Sequence, residues 1–348
     1  MDGKMKVCVL TGKKQLEWVE REIPQPAPGE LQIKLEYVGI CGSDLHFYEE
    51  GRLGNWELNG PLALGHEPAG EVTAIGEGVE GFEIGDKVSI EPAVPCGVCS
   101  DCREGHYNLC SHINMLAIPN EKDGVFADYC VHEASMCYKL PEGVDTLEGA
   151  MIEPLTVGMH ACVLSNPTVG DNAIILGSGC IGLITLLTLR ARGVREIYVT
   201  DIMPARLEKA KELGATRVFD STKEDIVEFA KTLPGGGASH VFECAGNKTT
   251  TLQSSQLIKR NGKITLVGVS PDPIMEMDFA TINAMEAEIY SVYRYRNLHQ
   301  KAINAVASGL IPVKEVVSHL YDFDECIHAI EHSSANKDIV IKGAIKFI

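Results

Sequence analysis

Residues 173–201, AIILGSGCIGLITLLTLRARGVREIYVTD, decide the fold class of this chain. The apolar run Ala173–Leu176 has the length of a buried strand, and a glycine-rich turn separates it from an apolar helix predicted over Ile181–Arg192. A second β-type run, Glu196–Asp201, follows after one more glycine. This order of strand, helix and strand predicts a parallel βαβ unit.

The same alternation of strands and helices continues to about Val269, which predicts a doubly wound parallel sheet with helices on both faces. Before about Cys162 the chain is rich in glycine, proline and short β-type runs such as LQIKLEYVGI, a pattern typical of an irregular β-rich domain. The final run, DIVIKGAIKFI, is also β-like and is expected to return to that first domain. We therefore predict an α/β nucleotide-binding domain over residues 157–293, inserted into a domain formed by residues 1–156 and 294–348.

Three glycines between the first strand and its helix form the pattern G-x-G-x-x-G: Gly177, Gly179 and Gly182. The first allows a tight turn, the second lets the backbone approach a pyrophosphate, and the third brings the helix close to the strand. Asp201 ends the second strand, where its carboxylate can accept hydrogen bonds from the adenosine ribose or cap the next helix. Because the residues directly after Asp201 are apolar, the pattern favours NAD over NADP.

Composition excludes several other classes of protein. The chain has 348 residues and a formal charge of −17, which argues against binding to nucleic acid or to an anionic membrane. It begins without the apolar run of a signal peptide, and its most apolar stretch is too short to cross a bilayer. Twelve cysteines without a secretory signal indicate a reducing compartment, so we expect a cytoplasmic protein.

Four of the cysteines follow the spacing C-x2-C-x2-C-x7-C: Cys96, Cys99, Cys102 and Cys110. Four thiolates can enclose one tetrahedral Zn²⁺ with no open position, which predicts a structural zinc lobe over about residues 91–113. Two disulfide bonds are the alternative interpretation of the same four residues, and a reducing compartment disfavours it.

Cys41, His66 and Glu67 could form a second metal site. A thiolate, an imidazole and a carboxylate that leave the fourth position to water or substrate are an arrangement expected of catalytic zinc. An unrelated cysteine and histidine are the alternative, and the sequence around these residues decides between the two.

The frames Cys41-Gly-Ser43-Asp44-x-His46 and Gly65-His66-Glu67-x-x-Gly70-x5-Gly76-x2-Val79 resemble those of the zinc-dependent medium-chain alcohol and polyol dehydrogenases. The resemblance covers nearly the whole chain. It is closest to the sorbitol (L-iditol 2-) dehydrogenases, through CGSDLHFYEEGRLGNW, IEPLTVGMHAC and VYRYRN. It implies a Rossmann domain inserted into a GroES-like catalytic domain.

The resemblance also implies roles for single residues. Cys41, His66 and Glu67 would hold catalytic zinc, with Glu153 beside the metal, either as a ligand or through water; a structural carboxylate is the alternative for Glu153. Ser43 and His46 would relay the substrate proton to solvent, although a loop histidine of no special role is the alternative for His46. The cofactor would contact residues at both ends of the dinucleotide site: Ile181, Arg206, Val267, Gly268, Val269, Val292, Tyr293 and Arg294.

The polyol would contact four residues by the same resemblance: Phe47, Glu153, Arg294 and Tyr295. Phe47 stands where mammalian members of the family have tyrosine, and a surface arginine is the alternative for Arg294. The expected reaction is a reversible zinc- and NAD-dependent oxidation of a secondary hydroxyl of a sugar alcohol, of the sorbitol, L-iditol or xylitol type, to a ketose. L-threonine 3-dehydrogenase, 2,3-butanediol dehydrogenase and a non-catalytic NAD-binding protein are the alternatives. Relatives imply a homo-oligomer, a tetramer or a dimer.

Overall fold

The structure, a computed structural model, describes residues 3–119, 121–270 and 274–347, and the chain divides into two compact units. The first unit comprises Met1–Glu153, His299–Ser308 and Val317–Ile348, and the second comprises Pro154–Leu298 and Gly309–Val316. The sequence predicts domain boundaries after residue 156 and before residue 294. The first lies three residues after Glu153 and the second lies five residues before His299, where the structure divides the chain. The short segment 309–316 belongs to the second unit because its 3-10 helix, Val313–Val316, contacts a helix of that unit.

Short strands dominate the first unit. In the described residues before Glu153 the strands are β1 (Lys4–Gly12), β2 (Gln15–Glu22), β3 (Glu30–Ile40), β4 (Arg52–Leu53), β5 (Trp56–Glu57), β6 (Leu62–Ala63), β7 (Glu67–Ile75), β8 (Lys87–Ile90), β9 (Ala93–Val94), β10 (Asn114–Met115), β11 (Tyr129–Glu133) and β12 (Cys137–Lys139). The helices among them are α1 (Gly42–Glu50), α2 (Ser100–Arg103) and α3 (Thr146–Ala150), with 3-10 helices at Tyr107–Leu109 and Ala134–Met136.

The second unit alternates helices and strands. Its elements are α4 (Ile152–Ser165, which begins in the first unit), β13 (Asn172–Leu176), α5 (Cys180–Ala191), β14 (Glu196–Asp201), α6 (Pro204–Glu212), β15 (Arg217–Asp220), α7 (Ile226–Ala230), β16 (Ala238–Glu243), α8 (Lys248–Gln256), β17 (Ile258–Leu266), α9 (Phe279–Met285) and β18 (Glu288–Ser291). The first unit then resumes with α10 (His299–Ala307), β19 (His319–Asp322), a 3-10 helix at Phe323–Glu325, α11 (Cys326–Ala335) and β20 (Gly343–Lys346).

Strand β3 organises the main sheet of the first unit. The sheet has the order β12-β8-β7-β3-β20-β19, and β11 pairs with the early part of β3. Leu31, Ile33 and Leu35 alternate along β3 with more polar residues and are fully buried, so one face of the strand lies in the core. The C-terminal strand β20 pairs antiparallel with β3, in the sheet of the first unit.

The second unit contains a six-stranded parallel sheet in the order β15-β14-β13-β16-β17-β18. Every residue of β13 is buried, as expected for a central strand covered by helices on both faces. The predicted doubly wound sheet is confirmed. The predicted irregular β-rich unit, formed by segments before and after this sheet in the chain, is confirmed as well. Among the described residues, no helix is both long enough and apolar enough to cross a membrane.

Candidate metal centres and dinucleotide-binding loop

Three candidate ligands from two separate turns of the first unit meet in one place. Cys41 follows β3 and precedes α1, whereas His66 and Glu67 stand at the start of β7. One ligand atom from each residue lies within 4.8 Å of the other two. His66 and Glu67 are buried and Cys41 is half-buried. Sulfur, nitrogen and oxygen donors at this separation suit zinc, and three protein ligands leave one position free.

A buried carboxylate fixes the two turns relative to each other. Asp44, in the first turn of α1, accepts hydrogen bonds from the backbone N–H of Cys41 at 2.9 Å and of Gly65 at 2.9 Å. Its Oδ1 also lies 3.6 Å from Nδ1 of His66. An imidazole that has a carboxylate partner at one ring nitrogen directs the other nitrogen at the metal in many zinc proteins. Asp44 therefore supports the ligand position of His66.

The local charges favour a cation. Burial alone would lower the pKa of His66, but the charges of Asp44 and Cys41, with their hydrogen bonds, raise that pKa well above its ordinary value. Burial would likewise raise the pKa of Asp44, yet the charge of His66 and the hydrogen bonds to Asp44 lower it. A divalent metal would replace the His66 proton as the positive charge in this pocket.

The other candidates of the first unit lie at different depths. Ser43 and His46 are half-buried in α1, close in sequence to Cys41. Glu153 is 7 % exposed at the start of α4 and is not in the three-residue ligand group found among the described residues. Phe47 is 1 % exposed and belongs to the hydrophobic core, and its contact with substrate stays a prediction.

The four predicted structural ligands form the second cluster. Cys96, Cys99, Cys102 and Cys110 place their sulfur atoms within 4.8 Å of one another, and the sulfurs of Cys99 and Cys110 are 3.8 Å apart. All four are free thiols, which excludes the disulfide alternative in this structure. Backbone N–H groups contact the sulfurs, for example Cys99 N to Cys96 Sγ at 3.4 Å.

The charges of the four cysteine thiolates would also favour a bound cation. Backbone hydrogen bonds from Val98 and Cys99 lower the pKa of Cys96 to about 6. Burial, together with hydrogen bonds to the neighbouring thiols, raises the pKa of Cys102 to about 12. Four adjacent thiolates repel one another without a counter-charge, and Zn²⁺ bound by four sulfurs would provide it.

The lobe that carries the cysteines is anchored by Glu91. This residue is 1 % exposed at the end of β8, and its carboxylate accepts hydrogen bonds from Tyr107 at 2.8 Å and from Tyr138 at 3.1 Å. Burial raises the pKa of Glu91 to about 7, although both tyrosines act against the rise. Tyr107 lies within the lobe and Tyr138 lies in β12 of the main sheet, so Glu91 links the lobe to that sheet.

In the second unit the glycine-rich turn has the geometry that a dinucleotide requires. Gly177 has φ +94°, a conformation that favours glycine. A Cβ on Gly182 would lie 1.9 Å from the carbonyl oxygen of Gly177, so only glycine allows α5 to approach β13 this closely. The N-terminus of α5 follows directly, and the first turn of a helix directs its backbone N–H groups toward bound phosphate oxygens.

The carboxylate of Asp201 is hydrogen-bonded to this turn. One carboxylate oxygen accepts hydrogen bonds from the backbone N–H of Ser178 at 2.7 Å and from its hydroxyl at 3.1 Å. The other oxygen accepts from the backbone N–H groups of Ile202 and Met203 at 2.8 and 2.9 Å. The capping role considered from sequence is therefore present, and the carboxylate also binds the glycine-rich turn.

The remaining candidates of the second unit fall into buried and accessible groups. Arg206 reaches the turn, because its Nη1 would lie 3.7 Å from a Cβ on Gly179. Arg294 has φ +54°, and its guanidinium carbon lies 5.0 Å from the ring centre of Tyr293. Tyr295 is only 5 % exposed. Val267 is buried, Val269 is exposed, and Ile181, Gly268 and Val292 are half-buried.

Comparison with known sequences then identifies the family. The alcohol dehydrogenase GroES-like domain matches residues 27–142, and the zinc-binding dehydrogenase domain matches residues 180–308. The chain belongs to the zinc-binding alcohol dehydrogenases. It is thus an oxidoreductase of that family, and the resemblance noted from its sequence motifs is confirmed.

Curated relatives of this family match almost the whole chain. An uncharacterized zinc-type alcohol dehydrogenase-like protein of Escherichia coli, YdjJ, is 44 % identical over 94 % of each chain. Sorbitol dehydrogenase of Bacillus subtilis is 35 % identical over 97 % of this chain and 96 % of its own length.

Solved dehydrogenase structures share the fold. An Escherichia coli oxidoreductase of unknown specificity superposes with a TM-score of 0.94 at 42 % identity over 99 % of both chains. An alcohol dehydrogenase of Escherichia coli CFT073 complexed with NADH has a TM-score of 0.92 at 31 % identity, covering 99 % of this chain and 100 % of its own. A zinc-binding dehydrogenase of Sinorhizobium meliloti bound to NADP has a TM-score of 0.90 at 29 % identity, covering 99 % of both.

Proposed function

We propose that this dehydrogenase oxidises a secondary hydroxyl of a sugar alcohol to a ketose, reversibly, with zinc and NAD. The observation that carries the proposal is the meeting of Cys41, His66 and Glu67 within 4.8 Å, in a chain that also has a complete dinucleotide-binding turn. The sorbitol dehydrogenase of Bacillus subtilis, similar over nearly the whole chain, supports a polyol as the substrate class.

Two zinc ions fit the donor groups of the first unit. Cys41, His66 and Glu67 would hold the catalytic ion, and the four-cysteine cluster would hold a structural one. Bound zinc would supply the Lewis acid that favours loss of the substrate hydroxyl proton, and the nicotinamide would accept the hydride. The thiolate and carboxylate together balance the charge of the ion, so the buried pocket has little net charge.

The residues around the ligands would orient the substrate and move its proton. Asp44 keeps His66 in place, as its contacts with both turns show. Ser43 and His46 are half-buried in α1 and would pass the hydroxyl proton to solvent. Glu153 would position the substrate beside the metal, and Arg294 would donate hydrogen bonds to further hydroxyls of the polyol.

NAD is the proposed dinucleotide. Asp201 ends β14 next to the glycine-rich turn, where a carboxylate would accept hydrogen bonds from ribose hydroxyls and repel a 2′-phosphate. Arg206, beside Gly179, is the cation available for the pyrophosphate. The nicotinamide end would lie against Val267–Val269 and Val292–Arg294.

A cytoplasmic location and a homo-oligomeric state complete the proposal. All cysteines of the described residues are free thiols, which suits a reducing compartment. A tetramer is the favoured assembly and a dimer the alternative. Light scattering of the purified protein distinguishes these two sizes.

Initial rates across a substrate panel test the proposal. The panel contains sorbitol, xylitol, L-arabinitol, galactitol, threonine and 2,3-butanediol, each with NAD and with NADP, before and after treatment with a zinc chelator. We expect the highest kcat/KM for a polyol with NAD and loss of that rate on chelation. Oxidation of threonine or butanediol without polyol activity would replace the substrate class. NAD binding without a metal-dependent rate on any substrate would indicate a non-catalytic protein.

A further inference from the structure

A lysine from the C-terminal end of the chain contacts a candidate metal ligand. The Nζ of Lys342 forms a salt bridge with Oε2 of Glu67 and donates a hydrogen bond to the carbonyl oxygen of Ile40 at 3.0 Å. The side chains of Lys342 and Glu67 are 3 % and 1 % exposed. A buried ion pair carries a large desolvation cost, so its position against a metal site requires an explanation.

The register of the main sheet brings the two residues together. Glu67 pairs with Gly39 where β7 meets β3, and Gly343, next to Lys342, pairs with Ile40 where β20 meets β3. The two charged side chains therefore come from opposite sides of β3. A Cβ on Gly39 would lie 1.8 Å from Oε2 of Glu67, so the absence of a side chain at Gly39 makes the space in which they meet.

The charges of the pocket show what the lysine does. Zinc bound by one thiolate and one carboxylate is electrically neutral as a unit, and Asp44 adds a negative charge at His66. Lys342 offsets that charge from the opposite side, at Glu67. It also occupies one of the two oxygens with which a carboxylate can bind a metal, which leaves Oε1 for the ion.

We propose that Lys342 is a positioning residue of the metal centre. It holds Oε2 of Glu67, so that Glu67 offers the metal a single oxygen and the fourth coordination position stays open to substrate. This inference rests on the proposed catalytic zinc site. On this proposal, the coordination position stays open because of Lys342, which is not itself a metal ligand. Lys342 directly precedes β20, which pairs with β3 on the side opposite to β7.

Cobalt substitution tests the inference without using activity. Co²⁺ replaces zinc in the full-length protein, and the d–d absorption bands become weaker when the coordination number rises above four. Removing the lysine charge with Lys342→Met or Lys342→Gln should free the second oxygen, so we expect weaker bands and roughly tenfold slower metal release to a chelator. Lys342→Gln retains a donor for Ile40 and serves if Lys342→Met does not fold.

Two controls separate a specific effect from a general one. Lys342→Arg keeps the charge and should keep the wild-type spectrum, as should Lys346→Met at the end of β20. In a Glu67→Gln background, Lys342→Met should no longer change the spectrum, because the lysine acts only through Glu67. The four-cysteine site contributes a constant band to every variant.

The possible results have distinct meanings. An unchanged spectrum in Lys342→Met and Lys342→Gln, or faster metal release, would overturn the role of Lys342 while leaving the zinc site intact. Tighter binding with an unchanged spectrum would also overturn it, because charge alone would then explain the affinity. If Cys41→Ala does not alter the wild-type cobalt spectrum, the proposed metal site itself fails.

Discussion

Asp44 lies 3.6 Å from His66, measured from Oδ1 to Nδ1, and the same carboxylate accepts hydrogen bonds from the backbones of Cys41 and Gly65. Asp44 is 1 % exposed, so no solvent replaces these contacts when they are lost. A single side chain thereby holds the turn that carries the thiolate against the turn that carries the imidazole.

Replacing Asp44 by asparagine should weaken metal binding. The amide keeps the shape of the side chain but removes its charge and one acceptor oxygen, so His66 loses part of its orientation. We expect zinc affinity to fall by roughly tenfold to a hundredfold, measured by competition with a chromogenic chelator. Glu50→Gln, on the exposed end of the same helix, is the control and should leave the affinity unchanged. An Asp44→Asn protein with wild-type affinity would show that the contact is structural only.

Loss of one sulfur from the four-cysteine cluster should remove one zinc ion and destabilise the protein. Cys102→Ser leaves three sulfurs, which bind zinc less tightly and leave the remaining thiolates without full compensation. We predict one zinc fewer per chain by atomic absorption and a free energy of unfolding lower by several kcal/mol. The buried Cys130 is outside both clusters, and Cys130→Ala should keep the zinc content. Equal zinc content in Cys102→Ser and the parent chain would exclude a structural ion there.

Asp201→Asn should reduce the preference for NAD. The neutral amide no longer repels a 2′-phosphate and accepts fewer hydrogen bonds from ribose hydroxyls, so NADH should bind about tenfold more weakly. Titration of NADH and NADPH by fluorescence measures both effects. Ser178→Ala removes only the hydroxyl contact to Asp201 and is the matched control for damage to the turn. If both variants lose NADH affinity equally, Asp201 acts by shaping the turn.

Glu91 should make stability depend on pH. Burial raises its pKa from 4.5 to about 7, so the folded protein binds this proton more tightly than the unfolded chain does. The free energy of unfolding therefore falls by about 3 kcal/mol as the pH rises from about 4.5 to about 7. Above about pH 7, the ionisation of Glu91 causes no further change in stability.

Glu91→Gln removes this ionisation. Urea denaturation between about pH 5 and about pH 8 should show the variant gaining stability over the parent chain as the pH rises, with a plateau above about pH 7. The exposed Glu142→Gln should show no such trend. A stability difference that does not vary with pH would mean that Glu91 stays charged throughout.

Short motifs made much of this fold and site predictable. The strand, glycine-rich turn and helix around Gly177–Gly182 depend on residues close in sequence, as does the spacing of the four cysteines. The sequence motif around Cys41 also contained a signal for Asp44, since a carboxylate three residues after a helix N-cap commonly binds the N-cap backbone. That role was not predicted, because the contact with His66 depends on how two distant turns meet.

Short motifs do not predict how deeply a side chain is buried or which strands distant in sequence pair with each other. Lys342 reaches Glu67 only because β20 and β7 flank β3, and no local pattern connects positions so distant in sequence. By resemblance, Phe47 and Tyr295 are predicted substrate contacts; both are buried, as is Glu153, so these contacts stay predictions. A resemblance transfers the position of a residue in the chain, whereas exposure depends on the surrounding core.

The most direct test of the account measures zinc content and polyol oxidation together in Cys41→Ser, with NAD as the acceptor. We predict that the variant retains the zinc of the four-cysteine cluster, loses the second ion, and oxidises the preferred polyol about a thousandfold more slowly, a loss of about 4 kcal/mol of transition-state stabilisation. A variant that keeps both ions, or turns over at the parent rate with one, would contradict catalysis by a metal at Cys41, His66 and Glu67.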